Sequence, residues 1–243
     1  MKKTSLKHEI RKIFWKIGID ITRYKPIPDE LFRRKYLFNT YNIDTLLDVG
    51  ANNGWWSNQV RNVMGYKEKI ISFEPLSSAF ELLKGNSKED SNWEIFNFGL
   101  GDIEKNSKIN ISENSFSSSL LNMSPSHLEA SPNSKYLNHE DVKIKTLDSI
   151  FNKICNKNNN IYLKIDTQGF EDKVLKGAEN SLPYIDTIQL EMSLVSLYKG
   201  ELLFDEMYNY LIEKGYTLVA VESGFSNEKT GQLLQIDGFF HRN

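Results

Sequence analysis

The residues most suited to chemistry begin with a glycine-containing turn, LLDVGANNGWW at residues 46–56. Gly50 and Gly54 would let the backbone turn sharply and approach a ligand, because neither carries a Cβ. A helix that begins near Gly54 would direct free N–H groups toward a carboxylate or phosphate. Glu74, in the later segment SFEP, is an acid of the kind that accepts hydrogen bonds from ribose hydroxyls. This turn and this acid, in this order, predict a site for an adenosine-containing cofactor.

The residues of the turn discriminate between such cofactors. A pyrophosphate cofactor prefers G-x-G-x-x-G, whereas this turn reads G-A-N-N-G, with Asn52 at the middle glycine position. Asp48 precedes the turn and favours a cofactor that carries an ammonium over one that carries phosphates. S-adenosylmethionine, which combines adenosine, ammonium, carboxylate and sulfonium groups, suits this mixture. An NAD-dependent oxidoreductase or epimerase is the alternative enzyme.

Two further acids, Asp166 and Glu191, end predicted strands and could act on a substrate. Strand alternation places Lys164, Asp166 and Gln168 on the same face. Asp166 could bind the cofactor ammonium, orient an acceptor hydroxyl, or bind a divalent cation such as Mg²⁺ together with Glu191. A hydroxyl acceptor needs alignment and relief of its proton, which carboxylates or a metal could provide.

Among the four histidines, His139 is the first choice for a general base. It belongs to a polar stretch, residues 113–140, that is too long for an ordinary connection and is therefore a lid, a binding loop or a disordered segment. His127 lies in the same stretch and His241 follows the last strand; loop histidines are more often simply exposed. No H-E-x-x-H spacing indicates a tight metal site.

Alternating apolar strands and amphipathic helices must position these residues from Thr45 onward. This order predicts a parallel, doubly wound sheet whose final two strands form an antiparallel edge. The predicted strands are 45–51, 69–75, 93–102, 160–169, 187–193, 217–223 and 232–242, with short additional strands at 108–112 and 141–148. The predicted helices are 55–65, 77–85, 146–155, 170–180 and 203–215.

Residues 1–44 are predicted to form an N-terminal helical extension, and residues 45–243 the main domain. A first helix over 5–19 carries apolar residues at helical spacing among several Lys and Arg residues. Such a basic helix could contact an anionic membrane surface peripherally, although docking on the domain's own core is the favoured interpretation. A second helix over 28–38 has Pro28 and Asp29 as its start signals.

The composition limits the possible compartments and partners. A length of 243 residues with 40% hydrophobic residues supports one α/β domain. The formal net charge of −2 provides no global basic field for nucleic acid. Cys155, the single cysteine, cannot form an internal disulfide and fits a reducing compartment. Without a membrane-length apolar run or a secretory signal, the sequence predicts a cytoplasmic protein.

Taken together, these motifs closely resemble the FkbM family of S-adenosylmethionine-dependent methyltransferases. The resemblance runs from about Thr45 to the C-terminus through LLDVGANNG, SFEP, NFGLGD, SSSL, TLDSI, LKIDTQGFEDKVLKGA, IQLEMS and LLQIDGFF. The most specific motif is LKIDTQGFEDKVLKGA, residues 163–178. In the family, Glu is common where this chain has Gln168.

This resemblance implies a Rossmann-like class I methyltransferase fold, with a mostly parallel seven-stranded sheet, an antiparallel edge strand and helices on both faces. It implies an O-methyltransferase that acts on a hydroxyl of a sugar, glycoconjugate or polysaccharide precursor. The acceptor is then a small molecule or glycan rather than nucleic acid, and oligomers are compatible with it. A non-catalytic adenosyl-binding partner in a glycan-assembly complex is the alternative of a different class. The resemblance assigns to the cofactor Asp48, Gly50, Asn52, Gly54 and Glu74, with Gly99 and Leu100 expected beside the adenine.

Overall fold

The computed structural model describes residues 6–21 and 30–242. The helices are α1 (Leu6–Trp15), α2 (Glu30–Thr40), α3 (Trp55–Asn62), α4 (Ser77–Ser87), α5 (Pro125–Ala130), α6 (Leu147–Ile154), α7 (Glu171–Lys176) and α8 (Phe204–Glu213). The strands are β1 (Thr45–Val49), β2 (Lys69–Phe73), β3 (Trp93–Phe96), β4 (Gly99–Leu100), β5 (Lys105–Ser112), β6 (Tyr136–Lys145), β7 (Ile161–Ile165), β8 (Thr187–Ser193), β9 (Thr217–Ser223) and β10 (Gln235–His241).

Seven of these strands form one sheet, in the order β3-β2-β1-β7-β8-β10-β9. The pairings of β3 with β2, β2 with β1, β1 with β7 and β7 with β8 are parallel, whereas β10 is antiparallel to both β8 and β9. The predicted seven-stranded, mostly parallel sheet with antiparallel pairing at one edge is therefore confirmed.

The sheet is covered on both faces, which explains why its central strands β1 and β7 are buried throughout. Every residue of β1 is buried. Leu46 packs with Trp56 and Tyr162 on one face, while its neighbour Leu47 packs with Leu163 on the other. Because β1 is an interior strand, paired with β2 on one side and β7 on the other, the turn that follows it is held on a rigid support.

The predicted boundary at residue 44 does not separate two packing units. Phe38 and Ile43 are buried in the same cluster as Leu46. The Arg34 guanidinium donates to the Glu222 carboxylate of β9 through Nε at 3.1 Å. Helix α2 is thus part of the same core as the sheet, because its apolar face covers one side of the sheet. The predicted start signals Pro28 and Asp29 lie outside the described residues.

The first helix differs from the favoured interpretation of docking on the core. Ile13 and Ile17 are 64% and 68% exposed, and neither belongs to a core cluster of the described residues. No helix in the described ranges combines the length and apolar character needed to cross a membrane.

The polar stretch 113–140 is more ordered than the sequence predicts. Helix α5, a 3-10 turn at Pro132–Ser134 and the first half of β6 lie within it. Strand β6 pairs with β4 and with β5 in a second, three-stranded sheet. The strand signal was hidden because the first residues of β6 are mostly polar, so their alternation is not one of apolar and polar side chains.

Candidate active site

The turn after β1 is fixed by contact with the end of β7. Gly50 has a φ of +76°, and a Cβ on it would lie 1.9 Å from the Asp166 carbonyl oxygen. The N–H groups of Gly50 and Ala51 both donate to the Phe73 carbonyl of β2, at 3.0 and 3.1 Å. Only glycine fits at position 50, because any other residue would clash with the backbone of the adjoining strand.

Gly54 serves packing rather than the cavity. Its φ is +80°, and a Cβ would lie 2.7 Å from Leu83 Cδ1 and close to the Trp93 ring. It does not line the cavity beside the turn. The prediction that Gly54 contacts a cofactor is therefore corrected: this glycine lets α3 approach α4 and β3 closely.

Glu74 holds the turn and also faces the cavity. Its Oε2 accepts from the Asn52 N–H at 2.7 Å, and its Oε1 accepts from the Leu76 N–H at 2.8 Å. Asn52 itself has a left-handed φ of 49°. Burial raises the pKa of Glu74 to about 7, against the lowering effect of these two backbone donors. The carboxylate can accept further hydrogen bonds, so it suits hydroxyl donors from a ligand.

The cavity at the carboxyl ends of β1, β2 and β7 brings together most of the residues predicted to bind a cofactor. Trp55 and Trp56 border it; Trp56 is buried in the core and Trp55 is 58% exposed. Of the predicted cofactor residues, those that line it are Gly50, Asn52, Glu74, Gly99, Leu100 and Asp166.

Asp48 lies below the cavity rather than in it. Its side chain is fully buried, with Lys164 Nζ 3.1 Å from Oδ1. Ser57 Oγ donates to Oδ2 at 2.7 Å. The expectation that Asp48 meets a cofactor ammonium is corrected, because the ammonium of Lys164 already pairs with it.

Lys164 joins Asp48 to Asp166. Its Nζ lies 3.3 Å from Asp166 Oδ2, and its side chain is nearly fully buried. Burial opposes the charge of Lys164, but the two carboxylates outweigh burial and raise its pKa above the ordinary value. The Asp166 side chain remains 40% exposed and lines the cavity. Asp166 is therefore held by Lys164 on its buried side, while its exposed side faces the cavity.

Gln168 joins Asp166 to Glu191, an arrangement we call the Gln168 bridge. Its Nε2 donates to Asp166 Oδ1 and to Glu191 Oε2, both at 2.9 Å. Its Oε1 accepts from the Tyr198 hydroxyl at 2.7 Å. Gln168 has a left-handed φ of 57°, which is uncommon for a residue with a side chain. Backbone strain of this kind is concentrated at functional sites.

Glu191 supports the Gln168 bridge from behind. Gln235 Nε2 donates to Glu191 Oε2 at 2.8 Å, beside the bond from Gln168. Burial raises the pKa of Glu191 well above its ordinary value, and the nearby Asp166 and Asp237 raise it further. Among the described residues, Glu191 is not part of the cavity lining. This position corrects the prediction that Glu191 acts directly on a substrate, because its carboxylate contacts Gln168 and Gln235 instead of lining the cavity.

His139 is not in the cavity. It lies on β6 opposite Asn110 of β5, is exposed, and its Nε2 is 3.3 Å from Lys108 Nζ. The prediction of a loop histidine that closes over the site is wrong, because β6 begins earlier than expected and holds His139 in a regular strand.

A metal site at Asp166 and Glu191 is not supported. Within residues 6–21 and 30–242, no group of three or more His, Cys, Asp or Glu side chains could hold a metal ion. The Gln168 amide nitrogen, a donor with no lone pair for a cation, lies between the two carboxylates.

Three residues at the site were not predicted from the sequence: Tyr198, Gln235 and Phe116. Tyr198 and Gln235 complete the Gln168 bridge from distant parts of the chain, with no local spacing to indicate them. Phe116 lines the cavity yet is 59% exposed. The exposed aromatic within a Ser-rich segment was the available signal for Phe116.

The strand order, with a crevice above the carboxyl ends of the strands, is that of the class I methyltransferase fold. The chain belongs to the methyltransferase FkbM domain family, whose model matches residues 48–218. No curated protein sequence matches it significantly.

Two solved structures are similar to this chain at low sequence identity. The methyltransferase FkbM from Methylobacillus flagellatus KT is 14% identical, with a TM-score of 0.52 over 81% of this chain and 44% of that one. This chain thus spans less than half of that protein's length. A candidate caffeoyl-CoA O-methyltransferase from Staphylococcus aureus is 11% identical, with a TM-score of 0.48 over 98% of this chain and 93% of that one.

Proposed function

We propose that this methyltransferase transfers a methyl group from S-adenosylmethionine to a hydroxyl of a sugar, glycoconjugate or polysaccharide precursor. One observation carries the proposal: Glu74 from the end of β2 and Asp166 from the end of β7 line one cavity, with the Gly50 turn between them. In this cavity, Glu74 can accept hydrogen bonds from ribose hydroxyls and Asp166 provides an open carboxylate. The backbone turn at Gly50 lies between them, where a ligand can approach it.

The residues present fit the cofactor. The Glu74 carboxylate is buried and can accept hydrogen bonds from two ribose hydroxyls. Leu76, Gly99 and Leu100 provide an apolar wall for an adenine ring. When bound, S-adenosylmethionine supplies an electrophilic methyl group. The turn reading G-A-N-N-G and the family of the chain disfavour the NAD-dependent alternative.

Asp166 is the residue we assign to the acceptor. Lys164 and Gln168 each hold one of its oxygens, which fixes the plane of the carboxylate. It would accept the hydrogen bond of the acceptor hydroxyl and take its proton as the oxygen bonds to the methyl carbon and the S–CH₃ bond breaks. Alignment and proton removal are the two contributions that a poorly nucleophilic hydroxyl requires.

The choice of a glycan acceptor rests on the family resemblance and on the mouth of the cavity. Ser115 and Ser118 provide hydroxyls there, and the exposed Phe116 ring can pack against the C–H face of a sugar. A phenolic or nucleobase acceptor would not need this mixture of hydroxyls beside one aromatic ring.

Ligand-dependent thermal stability tests the cofactor. S-adenosylmethionine and S-adenosylhomocysteine should each raise Tm, and NAD should not, because a ligand that binds only the native state stabilises it by mass action. Stabilisation by NAD and by neither adenosyl compound would overturn the proposal.

Transfer of labelled methyl groups tests the reaction. With sugars, nucleotide sugars, phenols and RNA as acceptors, we expect label in the carbohydrate fraction. Label in phenols or RNA would reject the glycan acceptor. Cofactor binding without transfer to any acceptor would instead favour the non-catalytic partner of a glycan-assembly complex.

A further inference from the structure

Positive charge is concentrated at the N-terminus of the chain. Residues 1–25 contain eight of the 30 Lys and Arg residues and two of the 32 Asp and Glu residues, which leaves a net charge of −8 on the remainder. The small overall charge therefore combines a strongly basic segment, residues 1–25, with an acidic remainder of the chain. Such asymmetry indicates a partner with an anionic surface.

The described part of this end exposes apolar side chains among the cations. We call it the N-terminal patch, comprising α1 from Ile10 onward and the turn that follows, through Ile21. Its exposed apolar residues are Ile10, Ile13, Trp15, Ile17, Ile19 and Ile21, each at least 42% exposed. Exposed apolar residues in such number are unusual for a free surface, since each gains by leaving water.

The N-terminal patch is an ordered structure rather than a frayed end. Gly18 takes a φ of +74° and ends the helix, and the Ile19 N–H returns to the Phe14 carbonyl at 3.0 Å. Arg11 holds both Asp20 oxygens, at 2.8 and 2.6 Å. The isoleucines after the helix are therefore presented together with those on it.

The domain's own core does not cover the N-terminal patch. In the described part of the chain, the core clusters contain none of its isoleucines. The cluster nearest in sequence is built from α2 residues such as Phe38, which are already buried. Within residues 6–21 and 30–242, these isoleucines therefore remain exposed.

We propose that the N-terminal patch docks the protein on an anionic membrane surface. Isoleucines and a tryptophan would enter the boundary between headgroups and acyl chains, while Lys12 and Lys16 face anionic headgroups. An RNA partner would use the cations but not the apolar side chains, and an apolar protein groove would use the apolar side chains but not the cations. This inference goes beyond methyl transfer, and its test does not depend on activity.

Cosedimentation of the full chain with vesicles tests the docking. We expect binding to vesicles of phosphatidylcholine mixed with phosphatidylglycerol, weaker binding in high salt, and little binding to phosphatidylcholine alone. The double variants Ile13→Ser/Ile17→Ser and Lys12→Glu/Lys16→Glu should each weaken binding about tenfold or more.

Matched substitutions elsewhere control for exposed apolar and charged residues. Ile103, 59% exposed, is replaced by Ser, and the exposed Lys88 by Glu; both variants should bind vesicles as the wild type does. Unchanged Tm in all variants shows that they fold. No binding to anionic vesicles, equal binding to both vesicle types, or binding to RNA but not to vesicles would overturn the proposal.

Discussion

The amide nitrogen of Gln168 lies 2.9 Å from the Glu191 carboxylate, and it donates at the same distance to Asp166. One neutral side chain thus donates hydrogen bonds to two acids at once. It also fixes one oxygen of Asp166, while the other faces Lys164. The orientation of the only acid that we assign to the acceptor therefore depends on a residue that itself has no charge.

Replacing Gln168 should impair turnover more than cofactor binding. In Gln168→Leu, Asp166 loses a hydrogen bond and its fixed orientation, so we expect kcat to fall about 10–100-fold, as for other small misplacements of a reacting group. The Kd for S-adenosylmethionine, measured by calorimetry, should change little. Gln232→Leu, at an exposed position, is the control. Wild-type kcat in folded Gln168→Leu would remove the positioning role.

Asp166→Asn should lower kcat by about 10²–10⁴-fold, the range for loss of a general base. Steady-state kinetics with saturating cofactor measures the effect. If the carboxylate instead holds the cofactor ammonium, the variant keeps its turnover at saturation and loses cofactor affinity, which would contradict our assignment.

Because the Gln168 amide lies between the two carboxylates, we expect EDTA to leave wild-type activity unchanged.

Glu74→Ala should affect both binding and folding. Loss of hydrogen bonds to a charged group predicts a cofactor affinity weaker by about 1.5–3 kcal/mol. The Asn52 and Leu76 N–H groups also lose their acceptor, at about 1–3 kcal/mol of unfolding free energy for each that stays unpaired. Calorimetry and denaturant unfolding measure the two effects, with exposed Glu104→Ala as the control. Unchanged affinity in the variant would remove Glu74 from the cofactor site.

Cofactor affinity should fall as the pH decreases through about 7, because burial raises the pKa of Glu74 to about 7 and hydroxyl donors favour its ionised form. Calorimetry between pH 6 and 8 measures this dependence, which Glu74→Ala should largely abolish. In the ligand-free protein, the same raised pKa makes this group's contribution to stability full below its ordinary value of 4.5, and that contribution is lost as the pH rises to about 7. Affinity that is constant across this range would contradict the assignment of Glu74 to hydroxyl binding.

Asp48→Asn should destabilise the fold and spare the cofactor. The substitution breaks a buried ion pair with Lys164, for which we expect a loss of about 3 kcal/mol in unfolding free energy. Denaturant unfolding measures this loss, and the exposed Asp141→Asn is its control. Weakened cofactor binding at unchanged stability would instead show that Asp48 contacts the cofactor.

The sequence by itself determined the order of the elements and one wall of the site. Short apolar runs between amphipathic helices indicate buried parallel strands, since both faces of such a sheet are covered. The glycine turn and Glu74 are local signals, and their strands pair directly, so they meet as predicted. Local signals did not identify the strand that contains His139. The first residues of this strand are mostly polar, so they lack the alternation of apolar and polar side chains that indicates a strand.

Only the tertiary structure decided which acids face the cavity. Asp48 lies within β1 and Asp166 follows β7, and Lys164 pairs with both, yet Asp48 is fully buried and Asp166 is open to the cavity. The Gln168 bridge likewise needs Tyr198 and Gln235, which lie far away in sequence and near only in space. Spacing along a chain specifies which side of a strand a residue occupies. Which carboxylate forms an ion pair there depends on the side chains of the neighbouring strands, and these become neighbours only in the folded sheet.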